Sequence, residues 1–264
     1  MQSPNTVRPG VVGNALLTSL ALLIGANAHA ASEEIQVYLD DKEAPGAMSV
    51  DWHLNRVTTG RRTPDYAGEQ PPGGVDRVTP ELNLGLTPTL ELGAYALSSR
   101  SAQGDWRADG AKVRLKYIAE HDEEHGVYWG ANLEVGRESR LTAPVPWNAE
   151  LKGIVGIYMG PWLAGANLNL DRPISAAAGP TTVDVDFRLS RRLSPETSIG
   201  VESYNELGPL RRLAPLNQGS KALFAVVDTQ IAGIPIEAGV GRGLTTEADR
   251  WTIKMIVTFP TTIR

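Results

Sequence analysis

The stretch His121–His125, with the sequence His-Asp-Glu-Glu-His, is the cluster with the composition of a metal site. On a helix, two histidines four residues apart would share a face and could bind zinc. The stretch lies in a predicted turn between strands, however, and this spacing indicates a metal only on a helix. We interpret it as a solvated turn. With four histidines and no cysteine in the chain, we expect no metal site.

Ser49, Asp51 and His53 alternate along one predicted strand and contain the residue types of a catalytic triad. Successive positions on one strand face are about 7 Å apart, too far for the hydrogen-bonded relay of a triad. Partners on other strands would leave a membrane-embedded hydrolase open as an alternative. We predict no catalytic residue, no cofactor and no enzymatic activity.

Residues 239–243 (Gly-Val-Gly-Arg-Gly) resemble a phosphate-binding loop only in their glycines. No helix follows them, and a phosphate loop needs a helix N-terminus. Glycines on an inward strand face more simply make room for a neighbour or bend the strand.

The elements that must position these residues are strands, because apolar and polar residues alternate with a period of two along most of the chain. Glycine, proline, aspartate and asparagine separate the alternating stretches. Gly153 to Leu170 lacks charge over eighteen residues, but its glycines and Gly160-Pro161 predict a hairpin and not a helix. We predict twelve strands at 48–57, 78–86, 89–97, 111–118, 127–137, 147–158, 162–171, 182–190, 197–204, 220–228, 233–243 and 250–259.

One face of these strands carries no charged residue in the chosen register, and the opposite face carries many. A soluble β-sandwich also alternates, but its strands are usually shorter. Strands of nine to eleven residues with one face free of charged residues have the length needed to cross a membrane. The fold predicted is an all-β, antiparallel transmembrane barrel. We expect its lumen to be lined by Asp51, His53, Lys112, Arg114, Lys116, Glu134, Glu150, Lys152, Asp184, Asp186, Arg188, Glu202 and Lys254.

Aromatic residues near strand ends on the apolar face predict the two interfacial girdles of such a barrel. We assign them to Trp52, Tyr117, Trp129, Trp162, Trp251 and Phe259. Connections near 87–89, 119–126, 159–161, 191–196 and 229–232 are mostly short. The others, including those near 58–77 and 98–110, are longer, as expected of periplasmic turns and external loops.

The first thirty residues have the plan of a secretory signal: a charge at Arg8, an apolar run from Ala15 to Ala26, and Ala28-His29-Ala30. We expect cleavage after Ala30, and an outer-membrane location. The domains predicted are a signal peptide at 1–30, a periplasmic segment at 31–47, the barrel at 48–260 and a tail at 261–264.

The pore size follows from the strand count. Twelve tilted strands give a backbone diameter of about 24 Å and roughly 10 Å of free width after side chains. Charges on the inner face either line that space, which suits small polar solutes, or pair across it and plug it. A net charge of −5 argues against a nucleic-acid partner. The expected partners are outer-membrane lipid and a small-molecule solute of unknown identity.

Four stretches are similar to a family of small outer-membrane β-barrels, some described as putative transporters or as proteins of a "MetA-pathway of phenol degradation". They are residues 239–259, 193–209, 160–173 and 85–93. This resemblance implies a barrel, the outer membrane and a transport-like role, and it carries over no catalytic residue. We expect a passive channel or uptake barrel; the alternatives are a structural or partner-binding barrel without conductance and, behind it, the hydrolase.

Overall fold

The computed structural model describes residues 34–122, 125–175, 179–215 and 218–261. The predicted signal peptide at 1–30, and residues 262–264 of the predicted tail, lie outside this part of the chain. No helix in the described ranges is long and apolar enough to cross a membrane.

The described chain contains twelve strands, and each overlaps one of the predicted strands. The alternation of apolar and polar residues was therefore sufficient to locate every strand, although not every strand end. The strands are β1 Met48–Thr59, β2 Asp76–Gly85, β3 Leu90–Arg100, β4 Trp106–Ile118, β5 Gly126–Glu138, β6 Trp147–Met159, β7 Trp162–Pro173, β8 Thr182–Ser194, β9 Thr197–Pro209, β10 Lys221–Ile231, β11 Ile234–Gly243 and β12 Trp251–Thr261.

The strands close into one antiparallel barrel in which each pairs with its neighbours in sequence and β12 pairs with β1. At the closure, Leu54 lies opposite Met255. Closure leaves no unpaired sheet edge, so the backbone groups of the wall are satisfied within it. The predicted hairpin at 153–170 is confirmed: β6 and β7 are joined at Gly160-Pro161, and Gly160 has a φ of 64°.

The barrel has one end with short connections, termed the turn end, and one with longer connections, termed the loop end. At the turn end, three connections contain two residues each: 160–161, 195–196 and 232–233. At the loop end, the β1–β2 connection spans residues 60–75. The first residue of β1 and the last residue of β12 both lie at the turn end, as an even number of strands requires.

Outside the bulges, neighbouring residues point to opposite sides of the wall. Leu133 is 51% exposed on the outside, whereas Glu134 is 7% exposed on the inside. Ile253 and Lys254 make the same contrast at 50% and 1%. A slip of one residue would place these charges in hydrocarbon, so the pattern of burial fixes the register.

All six tryptophans are exposed on the outer wall near strand ends. Three lie towards the turn end, on β1, β5 and β7, and three at the loop end, on β4, β6 and β12. Such rings of amphipathic side chains are typical of membrane interfaces. The girdle prediction omitted Trp106 and Trp147; of its other members, Tyr117 packs against Trp129 with ring centroids 5.6 Å apart, and Phe259 is exposed.

The predicted loop at 98–110 is mostly wrong, because β3 and β4 continue through it and leave only residues 101–105. The pairing of β3 with β4 shifts between Leu97 and Ser98, where Gly110 has a φ of 152°. This bulge interrupts the alternation, so the sequence pattern hid the first residues of β4. The connection predicted at 191–196 likewise shortens to Pro195-Glu196.

The described part of the segment before β1 corrects the prediction of a periplasmic segment at 31–47, of which residues 31–33 lie outside the described residues. Val37 and Tyr38 are 1% and 4% exposed, and they lie inside the barrel. The segment leaves the turn end where Gly46 donates a backbone hydrogen bond to Gly85. Its inner residues have wall side chains as hydrogen-bond partners, which explains why a largely polar segment can be buried there.

Candidate functional site

The candidate site is the barrel lumen, which the lumen segment (residues 34–44) enters from the turn end. Tyr38 is bound to the side chain of Asn167 through its backbone: its N–H donates to Asn167 Oδ1 at 2.7 Å, and its carbonyl accepts from Asn167 Nδ2 at 2.8 Å. One asparagine of β7 thus satisfies both backbone groups of Tyr38.

Apolar contacts also hold the segment near the turn end. Tyr38 packs in a buried cluster with Ile118, Tyr128 and Ile154, and Leu39 packs against it. The Tyr128 ring lies over Gly156 on the neighbouring strand, where a Cβ would overlap it. This glycine therefore makes room for an aromatic ring inside the lumen.

Arg114 forms the centre of a charged cluster on the β1–β4 wall. It donates to Glu81 at 2.5 Å, to Asn83 at 2.7 Å and to Glu91 at 2.8 Å. Lys116 lies 3.1 Å from Glu91. These groups are almost completely buried. Removal of one partner would leave an uncompensated charge, which typically costs about 3–5 kcal/mol.

A second cluster occupies the wall from β8 to β12. Arg188 donates to Glu202 at 2.7 Å and to Glu237 at 2.5 Å, and Lys254 donates to the same two carboxylates at 2.5 and 2.6 Å. Lys254 also donates to the carbonyl of Ile35 in the lumen segment at 3.0 Å. The wall charges thus anchor the segment as well as one another.

Towards the loop end, Lys112 lies 3.1 Å from Glu134, and Lys152 lies 3.1 Å from Glu150. Asp186 accepts from Asn169 at 2.7 Å. The structure therefore places the residues predicted to line the lumen on the inner wall, but divides them among three clusters. Asp51, His53 and Asp184 complete that inner set.

The ring of Tyr38 lies among cations from two strands. The Arg114, Lys116 and Lys152 charged groups are 5.6, 5.7 and 4.8 Å from its centroid. Its hydroxyl donates to Glu34 at 2.6 Å and lies 2.8 Å from the Tyr95 hydroxyl. Cation–π contacts of this kind stabilise an aromatic ring in a charged lumen.

At the turn end, His121 corrects the prediction of a fully solvated turn. Its Nδ1 lies 2.8 Å from the Ala119 carbonyl, and its Nε2 lies 2.7 Å from Asp40 of the lumen segment. Burial favours the neutral ring, but these two acceptors outweigh burial and raise the pKa of His121. Among the described residues of this stretch, Asp122 and His125 fit the solvated turn, since both are exposed.

The residues considered for nucleophilic catalysis do not form a relay. His53 pairs with Glu81 at 3.1 Å, and Ser49 accepts a weak hydrogen bond from Asn83 at 3.4 Å. Gly239 and Gly241 make room for their neighbours, as predicted. A Cβ at Gly241 would overlap the Phe224 ring, and one at Gly239 would lie 3.1 Å from Lys254 Cε.

A cavity of about 440 Å³ remains beside the lumen segment and opens at the turn end. It lies between Val37 and Leu39 of the segment and polar wall residues that include Arg188, Asp228 and Glu237. Carboxylates outnumber basic groups along the inner wall of the described strands. The acidic set is Asp51, Glu81, Glu91, Asp109, Glu134, Glu138, Glu150, Asp171, Asp184, Asp186, Glu202, Glu206, Asp228 and Glu237, and the basic set is Arg77, Arg107, Lys112, Arg114, Lys116, Lys152, Arg188, Arg192 and Lys254.

The sequence did not predict the contacts between the lumen segment and the wall. The inward direction of Asn167 followed from the alternation in β7, but its partner Tyr38 belongs to no strand. Glu138 continues the inner register of β5 one residue beyond the predicted strand end. That continuation was readable from the sequence, whereas the Tyr38 contact was not.

The architecture is a closed antiparallel β-barrel of twelve strands with an apolar outer wall and a charged lumen. An outer membrane channel from Pseudomonas putida F1 is similar in structure, with a TM-score of 0.59, 11% identity, and coverage of 86% of this chain and 100% of that chain. The KdgM porin in complex with disordered oligogalacturonate has a TM-score of 0.50 at 9% identity, over 81% of this chain and 99% of that one.

At these identities the likeness shows the fold alone. No protein-family model matches the chain, and no curated protein matches it.

Proposed function

We propose that the protein is a passive outer-membrane channel for small polar solutes, in which the lumen segment restricts the conducting path. The observation that carries the proposal is the content of the lumen. Its wall is charged, and part of its volume is filled by a segment outside the barrel strands. A barrel needs no such wall for stability, since apolar residues of similar volume pack at least as well.

The excess of inner carboxylates supports a preference for cations. Rings of acidic side chains attract cations and repel anions at close range. The solute remains unidentified, and membership of the MetA-pathway family remains a prediction from the four similar stretches. Export by a signal peptide at residues 1–30 and the outer-membrane location are parts of the same proposal.

A barrel without conductance is the second candidate, because the apolar cluster around Tyr38 fills part of the lumen near the turn end. The 440 Å³ cavity beside the segment favours the channel. A hydrolase has less support, because Ser49 and His53 have separate partners.

Single-channel recording in planar bilayers tests the proposal. Under a salt gradient, we expect conductance steps with a reversal potential of the sign that indicates cation preference. Asp184→Lys should shift the reversal potential towards anions, because it reverses one charge on the inner wall. Glu247→Lys in the β11–β12 loop makes the same charge change away from the lumen and should shift it much less. A silent bilayer for the native protein and for variants with a loosened lumen segment would contradict the proposal.

A further inference from the structure

Three potential metal ligands meet where the lumen segment touches the wall. Glu34 comes from the segment, His53 from β1 and Glu81 from β2, and their donor atoms all lie within 4.8 Å of one another. His53 and Glu81 are 1% and 2% exposed. Sequence reasoning gave no sign of this group, because positions 34, 53 and 81 have no recognisable ligand spacing.

Unused hydrogen-bonding capacity surrounds this group. The Nδ1 atom of His53 is buried and has no hydrogen-bond partner among the described residues. The Oδ1 atom of Asp51, at the neighbouring inward position of β1, is also buried and has no hydrogen-bond partner among the described residues. Buried polar atoms without partners are uncommon and call for a physical reason. A bound cation that reorients the imidazole and recruits a nearby carboxylate as its support would provide one.

The local charge also favours a cation. Glu34, Glu81, Glu91 and Asp51 face this region. Arg114 contacts Glu81 and Glu91, and Lys116 contacts Glu91. His53 itself pairs with Glu81, and Lys152 interacts with Glu34. Carboxylates from the lumen segment, β1, β2 and β3 therefore meet in a buried place, where their negative charge is costly without cations close by.

We propose that Glu34, His53 and Glu81 bind a divalent transition-metal cation of the zinc type, which fastens the lumen segment to the wall. One imidazole and two carboxylates are ligands that zinc accepts in proteins. Metal–ligand distances of about 2.0–2.2 Å place tetrahedral ligand atoms roughly 3.4 Å apart, so donor atoms separated by more than that would have to approach one another on binding. Arg114 would then support Glu81 from outside the metal shell through its bond to Oε1.

Binding of the cation is independent of whether the barrel conducts, but its effect on current rests on the proposed function. We expect calorimetric titration of the chelator-treated full-length protein in detergent micelles with ZnCl₂ to show one saturable site. Glu34→Gln should weaken Zn²⁺ binding at least tenfold, and it changes a residue outside the barrel strands, so folding is preserved. His53→Gln should weaken it similarly, whereas His125→Gln, which removes an exposed histidine, should not.

Failure of the site and failure of the channel are distinguishable in this design. Absence of saturable binding, or one equivalent bound unchanged in both Glu34→Gln and His53→Gln, would overturn the metal site and indicate that a proton alone occupies the group. Saturable binding in a barrel that never conducts would support the site and contradict the channel. Zn²⁺ block of the native current that is lost in Glu34→Gln would support both.

Discussion

Replacement of Asn167 by alanine should release the lumen segment, because this side chain makes both hydrogen bonds to the Tyr38 backbone. Asn167 is 1% exposed, so water does not replace it while the segment stays in place. Each hydrogen bond contributes about 0.5–1.5 kcal/mol net, and a buried group left without a partner costs about 1–3 kcal/mol. A combined loss of about 2 kcal/mol is a conservative sum.

That loss corresponds to a shift of roughly thirtyfold in the equilibrium between the inserted and withdrawn segment. In single-channel records, the fraction of time in the larger conductance state should therefore rise by up to about thirtyfold relative to the native protein. Because unfolding of the barrel would also change the records, heat-modifiable gel migration should be measured alongside and should remain native.

Asn132→Ala is the matched control for this substitution. Asn132 is also buried on the inner face, on β5, but its side chain has no hydrogen-bond partner among the described residues. Its removal should leave the open fraction near the native value. Equal behaviour of the two alanine variants would refute the reasoning that Asn167 holds the segment.

Three further predictions test the register, the turn-end contact and the buried charges. Leu133→Arg should impair assembly in lipid, since an arginine facing mid-membrane costs about 2–4 kcal/mol, whereas Glu134→Gln should assemble; equal yields on folding gels would contradict the register. The contact of His121 with the segment stabilises insertion below the ordinary histidine pKa and is lost as pH rises through the raised pKa. The native open fraction should therefore increase with pH above about 6.5, and His121→Gln should flatten that profile. Lys254→Met leaves Arg188 as the one cation bonded to both Glu202 and Glu237, and the uncompensated buried charge should lower barrel stability by about 3–5 kcal/mol. Thermal unfolding in detergent measures this loss, and a stability equal to the native value would show that the cluster is not desolvated.

The period of two was enough to predict the barrel, because each wall residue has to face either lipid or lumen. Leu133 beside Glu134 and Ile253 beside Lys254 are fixed by this requirement alone. The prediction of strand bounds failed where an extra residue interrupts the alternation. The bulge beside Gly110 is such a place, and it hid the start of β4.

The contents of the lumen were not predictable in the same way. Tyr38 and Glu34 lie in a segment without periodicity, and their partners Asn167 and His53 are distant in sequence. Such contacts depend on which strands face each other across the barrel, and the alternation within one strand carries no information about that. The inward direction of Asn167 could be predicted, but its hydrogen bonds to the backbone of Tyr38 in the lumen segment could not.

A reversible cross-link between the lumen segment and the wall tests the central claim most directly. The chain has no cysteine, and a Cβ at Gly165 would lie 2.6 Å from Leu39 Cδ2, so Leu39→Cys with Gly165→Cys places two thiols within reach of a disulfide. In the Asn167→Ala background, we expect high conductance under reducing conditions and a fall to the native level on oxidation, reversed by reductant. Conductance that is the same in the oxidised and reduced protein, with the disulfide confirmed by mass spectrometry, would contradict the account that this segment controls the path.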